Sequence, residues 1–146
     1  MDEKDKKIIE ELRQDSSLTV RQIAKKTLIP ITTVHKRIKK LRAEGIIRKY
    51  SVELDFSKLG RSLAAIILAS VSFEALERHK LTHREFSKKL NCFENVEKVF
   101  HVTGQADYAI VIRVRDTAAL EEFLYNLKKR FDAIERTQTL VVLSEV

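Results

Sequence analysis

The stretch from Thr19 to Tyr50, TVRQIAKKTLIPITTVHKRIKKLRAEGIIRKY, contains two short helical patterns separated by a sharp break. In the second, Val34, Ile38 and Leu41 recur at i, i+4 and i+7, with Ile31 one turn earlier, so one face is predicted to be apolar. At roughly 100° per residue the opposite face carries Thr32, Lys36 and Lys39, with Thr33, His35 and Lys40 towards its edges. A helix held by a narrow apolar stripe, with cations and small hydroxyls pointing outward, suits the major groove of DNA. It reads as a recognition helix.

The preceding helix has a well-formed start. Thr19 and Gln22 fit a T-x-x-Q capping box, and Leu18 and Ile23 stand at the staple positions. Ile23, Ala24 and Thr27 are expected to face inward. The break is Leu28-Ile29-Pro30, because proline can open a helix but not continue one. The next helix is predicted from Pro30 or Ile31 to Glu44, with Gly45 as its stop. An earlier helix, capped by Asp2, is expected to bury Ile8, Ile9 and Leu12 and to end at Asp15-Ser16-Ser17. Ile46 and Ile47 are expected to close this small core. Beyond them Tyr50, Val52 and Leu54 alternate with Ser51, Glu53 and Asp55, the period of a strand.

The rest of the chain reads as strand Ser62–Phe73, helix His83–Leu90, strands Val96–Thr103 and Asp107–Arg115, a helix capped by Asp116 or Thr117, and strand Thr137–Leu143. Residues 74–81 fit either a loop or an extra turn. Thr82 and Glu85 form another capping box with Leu81 and Phe86 as staple, and Gly104-Gln105-Ala106 is a hairpin signal. The order βαββαβ is the ferredoxin-like arrangement. The predicted class is α+β, a helix-turn-helix (winged-helix-like) DNA-binding domain at 1–48, a linker strand and hinge at 49–60, and a ferredoxin-like domain at 61–146. In two strands both faces are apolar. Ala109 and Val111 oppose Tyr108, Ile110 and Ile112, while Leu140 and Val142 oppose Val141 and Leu143. Both helices cover one face, so a second copy of the sheet is the economical cover for the other, and a homodimer is expected.

Charge is split between the halves. Of a formal net charge of +7, residues 1–50 hold 14 Lys/Arg and 7 Asp/Glu, while residues 51–146 hold 14 of each. The basic half is thereby marked for a polyanion. No run approaches the ~18 apolar residues of a membrane span, and the acidic start MDEKDKK does not read as a signal peptide. Cys92 is alone, so neither a disulfide framework nor a Cys metal site is expected, and a cytoplasmic, reducing location follows.

Thr32, Thr33, His35 and Lys36 are the candidates for base-edge contacts, since such groups can hydrogen-bond base acceptors and a threonine methyl can touch a thymine methyl. Arg21, Gln22, Arg37, Lys39 and Lys40 are assigned to phosphates, with Arg37 leaning towards the apolar face and open to a structural role. No second ligand stands at helical spacing from His35, and His79 with His83 lacks a third partner. There is no Ser/His/Asp order, no Gly-rich phosphate loop and no metal cluster, so no enzyme, cofactor or metal is expected.

Across essentially its whole length the chain resembles the Lrp/AsnC, or feast/famine, family of transcription regulators. The residues that carry the likeness are Asp5-Lys6-Lys7-Ile8-Ile9, Ile23-Ala24, Thr33 through Leu41, Glu44-Gly45-Ile46-Ile47, Gly104-Gln105-Ala106-Asp107-Tyr108 and Glu135-Arg136-Thr137-Gln138-Thr139. The resemblance implies a double-stranded DNA partner, dimers that build tetramers or octamers, and an amino-acid effector bound near the 104–108 loop between dimers. Under it, backbone N–H groups of Gly104, Gln105 and Ala106 would meet a carboxylate and Asp107 an ammonium group, beside Tyr108, with Thr137 and Thr139 lining the site. It also implies that the strand near Lys49–Leu54 pairs with its counterpart in another subunit. The family turn usually has Gly where this chain has Leu28, and a Ser cap where it has Pro30. Two other readings are an architectural DNA-binding protein with little sequence choice and no effector, and a metabolic amino-acid-binding module whose basic half contacts a protein.

Overall fold

The computed structural model describes residues 1–145 and divides into two compact units, Met1–Leu54 and Asp55 onward. Three helices build the first: α1 (Glu3–Gln14), α2 (Val20–Thr27) and α3 (Ile31–Ala43). Their starts are written locally. The Asp2 carboxylate accepts the Asp5 N–H at 3.0 Å while Asp5 accepts the Asp2 N–H at 3.0 Å, closing a reciprocal box that satisfies two first-turn donors. Thr19 and Gln22 do the same for α2. Ile8, Ile23, Ala24, Ile29 and Val34 form the core, with Leu12, Leu18 and Ile38 partly buried against it. Ile9 is only half-buried.

The break falls as expected but is made unusually. Leu28 ends α2 in the left-handed region, φ 57° and ψ 29°, where an L side chain is disfavoured by roughly 1–2 kcal/mol. It is 90% exposed. Pro30 opens α3 without a side-chain cap. At the other end Gly45, at φ 72°, allows its N–H to reach Arg42 O at 3.0 Å and the Ile46 N–H to reach Leu41 O at 2.9 Å, a Schellman stop.

Three expectations for this unit are corrected. Ile31 is 49% exposed rather than buried, because Ile29 enters the core from the turn and takes the place a first-turn residue would fill. Ile46 is exposed and Ile47 half-buried, so neither closes the core. Residues 50–54 form no ladder, since no strand of this unit lies beside them. Val52 is left 77% exposed, and the segment is tied back by Ser16 Oγ donating to Ser51 O at 2.8 Å and by Arg42 over the Tyr50 ring.

The one buried charge in the described core is Asp5, 4% exposed. Arg37 of α3 reaches it at 2.8 Å and Asp2 at 2.6 Å, fastening the start of α1 to the middle of α3. The reciprocal backbone N–H bonds, and after them the guanidinium, hold both carboxyls below the ordinary carboxylate range. Burial opposes this without reversing it.

The second unit is a four-stranded antiparallel sheet with order β2-β3-β1-β4, built from β1 (Leu63–Val71), β2 (Val96–His101), β3 (Tyr108–Val114) and β4 (Ile134–Val141). Helices α4 (Phe73–Arg78), α5 (His83–Leu90) and α6 (Thr117–Arg130) complete it. The order is the ferredoxin-like one, with α5 and α6 in the two crossover positions. β1 stops at Val71 because Ser72 caps α4, so Phe73 begins a helix instead of ending a strand. α5 has the predicted limits, set by the Thr82–Glu85 box. β4 starts three residues early, since an irregularity at Ser70/Val71 lets Val71 pair with Ile134.

Side chains alternate across this sheet. Ala65, Ile67, Ala69, Tyr108, Ile110 and Ile112 pack under Phe86, Leu90, Phe123 and Leu127 of the helices. The other face presents Ile66, Leu68, Ala109, Val111, Phe100 and Leu140, half-buried or exposed, with nothing of this unit over them.

Two outcomes test this account. Leu28→Gly should stabilise the first unit by about 1 kcal/mol, since glycine adopts this φ freely; urea unfolding with no shift would deny the strain. For the ion cluster the sign runs from the lowered folded-state pKa values. Stability from the pair is full above the unfolded carboxylate range and is lost as pH falls through the folded values. Arg37→Ala should therefore melt below wild type at pH 7, with the gap closing below about pH 4. A gap that stays constant with pH would refute the ion pair as its cause.

Candidate nucleic-acid interface and ligand cleft

No Asp or Glu occurs between residues 16 and 43, the span that holds α2, the turn and most of α3, while eight Lys/Arg do. The seven acids of the first fifty residues lie on α1, at its caps, and at Glu44. On α3 the alternation places Thr32, His35, Lys36, Lys39 and Lys40 in solvent and Thr33 half-buried. Lys36 and Lys39 have no carboxylate within ion-pair range among the described residues, whereas Lys40 lies 3.7 Å from Glu44. Arg21 is exposed on the first turn of α2. Gln22 uses its carbonyl oxygen to accept from the Thr19 N–H and hydroxyl, so only its amide nitrogen remains to donate.

Arg37 stands apart from this group. Its guanidinium faces Asp2 and Asp5, and these bonds hold its pKa above the ordinary arginine value. Its geometry is that of a brace between helices. The first-turn N–H groups of α3 are left uncapped by any side chain, with the first intrahelical bond running from Val34 N–H to Pro30 O at 3.0 Å. Sequence reasoning missed the exposed apolar pair Leu28 and Ile31 beside this end. The signal was present, since neither residue has a polar or glycine role in a turn, but Ile31 was absorbed into the apolar stripe.

In the second unit the 102–107 hairpin is fixed by backbone. Val102 N–H donates to Asp107 O at 2.8 Å, Asp107 N–H to Ala69 O at 3.0 Å, and Gly104 sits at φ 119°. The Asp107 carboxylate accepts the Val71 N–H at 2.9 Å, so one oxygen is spent on holding the end of β1. Beside this hairpin is a cleft of about 460 Å³ lined by Leu68, Ser70, Val102, Thr103, Gln105, Ala106, Arg136 and Gln138.

Of the predicted ligand residues, the fold brings Gln105 and Ala106 to the cleft, with Gly104 in the same turn and Asp107 behind it. It does not bring the other three. Tyr108 is fully buried on the helix side, its hydroxyl 2.7 Å from His83 Nδ1, and burial pushes its pKa up to about 12. Thr137 and Thr139 pair with Ala69 and Ile67, both core-facing, so they lie on the helix side too. The residues on the cleft side are their neighbours Arg136 and Gln138, opposite Ser70 and Leu68. With a period of two, adjacent residues of a strand lie on opposite faces. Arg136 has no carboxylate within ion-pair range among the described residues, which leaves a cation beside two amides, a hydroxyl and an apolar floor. No group of three metal-ligating side chains occurs among the described residues, and no helix there is long and apolar enough to cross a membrane.

With this geometry in view, the comparisons are direct. Residues 1–48 match the family model for a winged helix-turn-helix DNA-binding domain, and residues 68–146 match that for the Lrp/AsnC ligand binding domain. The HTH-type transcriptional regulator FL11 of Pyrococcus horikoshii is 34% identical over 98% of this chain and 89% of its own. The HTH-type transcriptional regulator LrpC of Bacillus subtilis is 30% identical over 100% and 94%. The solved structure of LrpC aligns with a TM-score of 0.84 over 100% of this chain and 96% of that one, at 29% identity. The fold is also that of the Neisseria meningitidis transcriptional regulator NMB0573 in its L-Met complex, with a TM-score of 0.88 at 24% identity over 100% and 92%. The chain, helix-turn-helix unit and ferredoxin-like unit alike, belongs to the Lrp/AsnC family of transcription regulators.

Proposed function

We propose that this regulator binds a pseudo-palindromic duplex site as a homodimer, reads it with α3, and is modulated by a small amino acid held in the Arg136 cleft. The acid-free, cation-rich span from residue 16 to 43 is the observation that carries the DNA reading. Base contacts are assigned to Thr32, Thr33, His35 and Lys36, and phosphate contacts to Arg21, Gln22, Lys39 and Lys40. The uncapped first turn of α3 offers further backbone N–H donors to a phosphate. Dimerisation is assigned to the uncovered apolar sheet face, with the unpaired 50–54 segment as a second place where a partner strand fits. Two recognition helices would then meet the groove about 34 Å apart or a multiple of it. Assembly to tetramers or octamers would let one particle hold several such sites.

For the ligand, Arg136 is the one charged side chain lining the cleft, so it is assigned to the carboxylate. Ser70, Gln105 and Gln138 supply hydrogen bonds, Leu68 and Val102 an apolar wall, and the family's ligand-binding domain model over these residues supports the reading. A ligand of this kind changes DNA binding only through different affinity for two assembly states. The curated relatives FL11 and LrpC are themselves named transcriptional regulators, which supports a regulatory role over a catalytic one.

DNA binding is tested by salt titration with specific and unrelated duplexes. Log affinity should fall linearly with log salt, and Lys39→Ala should reduce the slope by ~0.9. Preference for a selected site over bulk DNA of ~10³-fold or more separates a regulator from an architectural protein, and equal affinity for both would reject the sequence-specific reading. The cleft is tested by thermal unfolding against the twenty amino acids. A true effector at 100 times its dissociation constant should add ~2.7 kcal/mol, and Arg136→Ala should remove the shift. An effect that survives Arg136→Ala would place the ligand elsewhere.

A further inference from the structure

The turn between α2 and α3 places apolar side chains where the folded unit does not use them. Ile29 alone enters the core. Leu28, 90% exposed at φ 57°, and Ile31, 49% exposed on the first turn of α3, stand on either side of Ile29-Pro30 and belong to no core cluster. Around α3 Ile31, His35 and Lys39 lie within about 80° of arc, between the apolar stripe and the face that carries Thr32 and Lys36. Lys25 before the pair, and Lys36 and Lys39 after it in sequence, are exposed and without carboxylate partners among the described residues.

An apolar tip among unpaired cations matches one feature of duplex DNA. Phosphates rim the major groove, and the thymine C5-methyl is the apolar group its base edges display. An apolar protein groove would gain two side chains and bury or face three lysines. We propose that Leu28 and Ile31 touch thymine methyl groups and so select A·T pairs at the base steps facing the leading end of α3. The inference rests on α3 being the recognition helix.

The test begins with a duplex selected by the full-length protein from randomised DNA. Each thymine is then replaced by deoxyuridine, which removes the methyl group and leaves every hydrogen-bonding group in place. Wild type should lose on the order of fourfold in affinity at each contacted position. The Leu28→Gly/Ile31→Ser variant should lose the thymine-over-uracil preference at the positions facing the leading end of α3. It should also keep the wild-type salt slope, because no cation is removed. Leu28→Gly suits the turn's backbone, and a melting curve checks that the pair folds. Retention of wild-type discrimination by the variant overturns the proposal, as does a selected site in which no methyl matters. A protein that selects no sequence fails the recognition-helix reading first, and this inference with it.

Discussion

Successive side chains of a strand point to opposite faces, and most of what the second unit does follows from that period. Helices α5 and α6 lie over one face only, and the residues they cover are the odd positions of β1 and the even positions of β3. On the other parity Ile66, Leu68 and Val111 are only half-buried and Leu140 is exposed, an apolar face that neither helix covers. The same parity decides the cleft. Arg136 and Gln138 share the open face with Leu68 and Ser70, and a ligand seated there would lie at the border of the surface assigned to the dimer. Assembly and ligand binding would then compete for, or share, one face. That is the arrangement in which a small molecule can shift an association equilibrium without any long path through the protein.

The first unit depends on a different economy. Its core is small, the buried side chains being Ile8, Ile23, Ala24, Ile29, Val34 and Leu41. Such a core fixes three helices poorly by itself, and the Asp2–Asp5–Arg37 cluster adds a directional tie between the first helix and the third. Reciprocal capping already aims both carboxylates, so the guanidinium meets a preformed pair. The Arg37 guanidinium is thereby engaged within the fold, while Lys36 and Lys39 of the same helix have no carboxylate partner among the described residues.

What was legible in the sequence is what short-range chemistry decides. Thr19/Gln22 and Thr82/Glu85 marked the starts of α2 and α5 because capping involves only neighbours. Gly45 marked a stop for the same reason. Strand identity was legible, but strand phase was not. Thr137 and Thr139 were expected at the ligand site, yet whether a residue of β4 faces the helices depends on pairing with β1, sixty-odd residues away. Tyr108 is a similar case: it neighbours Asp107 in sequence, while its ring packs in the core. Arg37 was read from helical angle as borderline, and its partners on α1 could not be seen from α3. The 50–54 alternation was read as a strand, and its period is real, but a ladder needs a neighbour that this unit does not supply.

The turn shows how a departure from family pattern carries information. Glycine there would relieve the backbone, and a serine at the next helix start would cap it. Leu28 and Pro30 do neither, so two local rules are broken within three residues. Every other helix start here has a side-chain cap, three of them reciprocal, so the chain has no shortage of means to satisfy them. Broken local rules that bring no gain to the fold tend to mark places where a partner is met. Within this unit no such gain is visible: Leu28 is exposed and the first turn of α3 has no side-chain cap, which is what the proposed DNA contacts would use. Under the proposed reading, affinity and choice draw on different chemistry around one turn: cations would hold the polyanion, while hydroxyl, imidazole and apolar groups near the start of α3 would meet base edges.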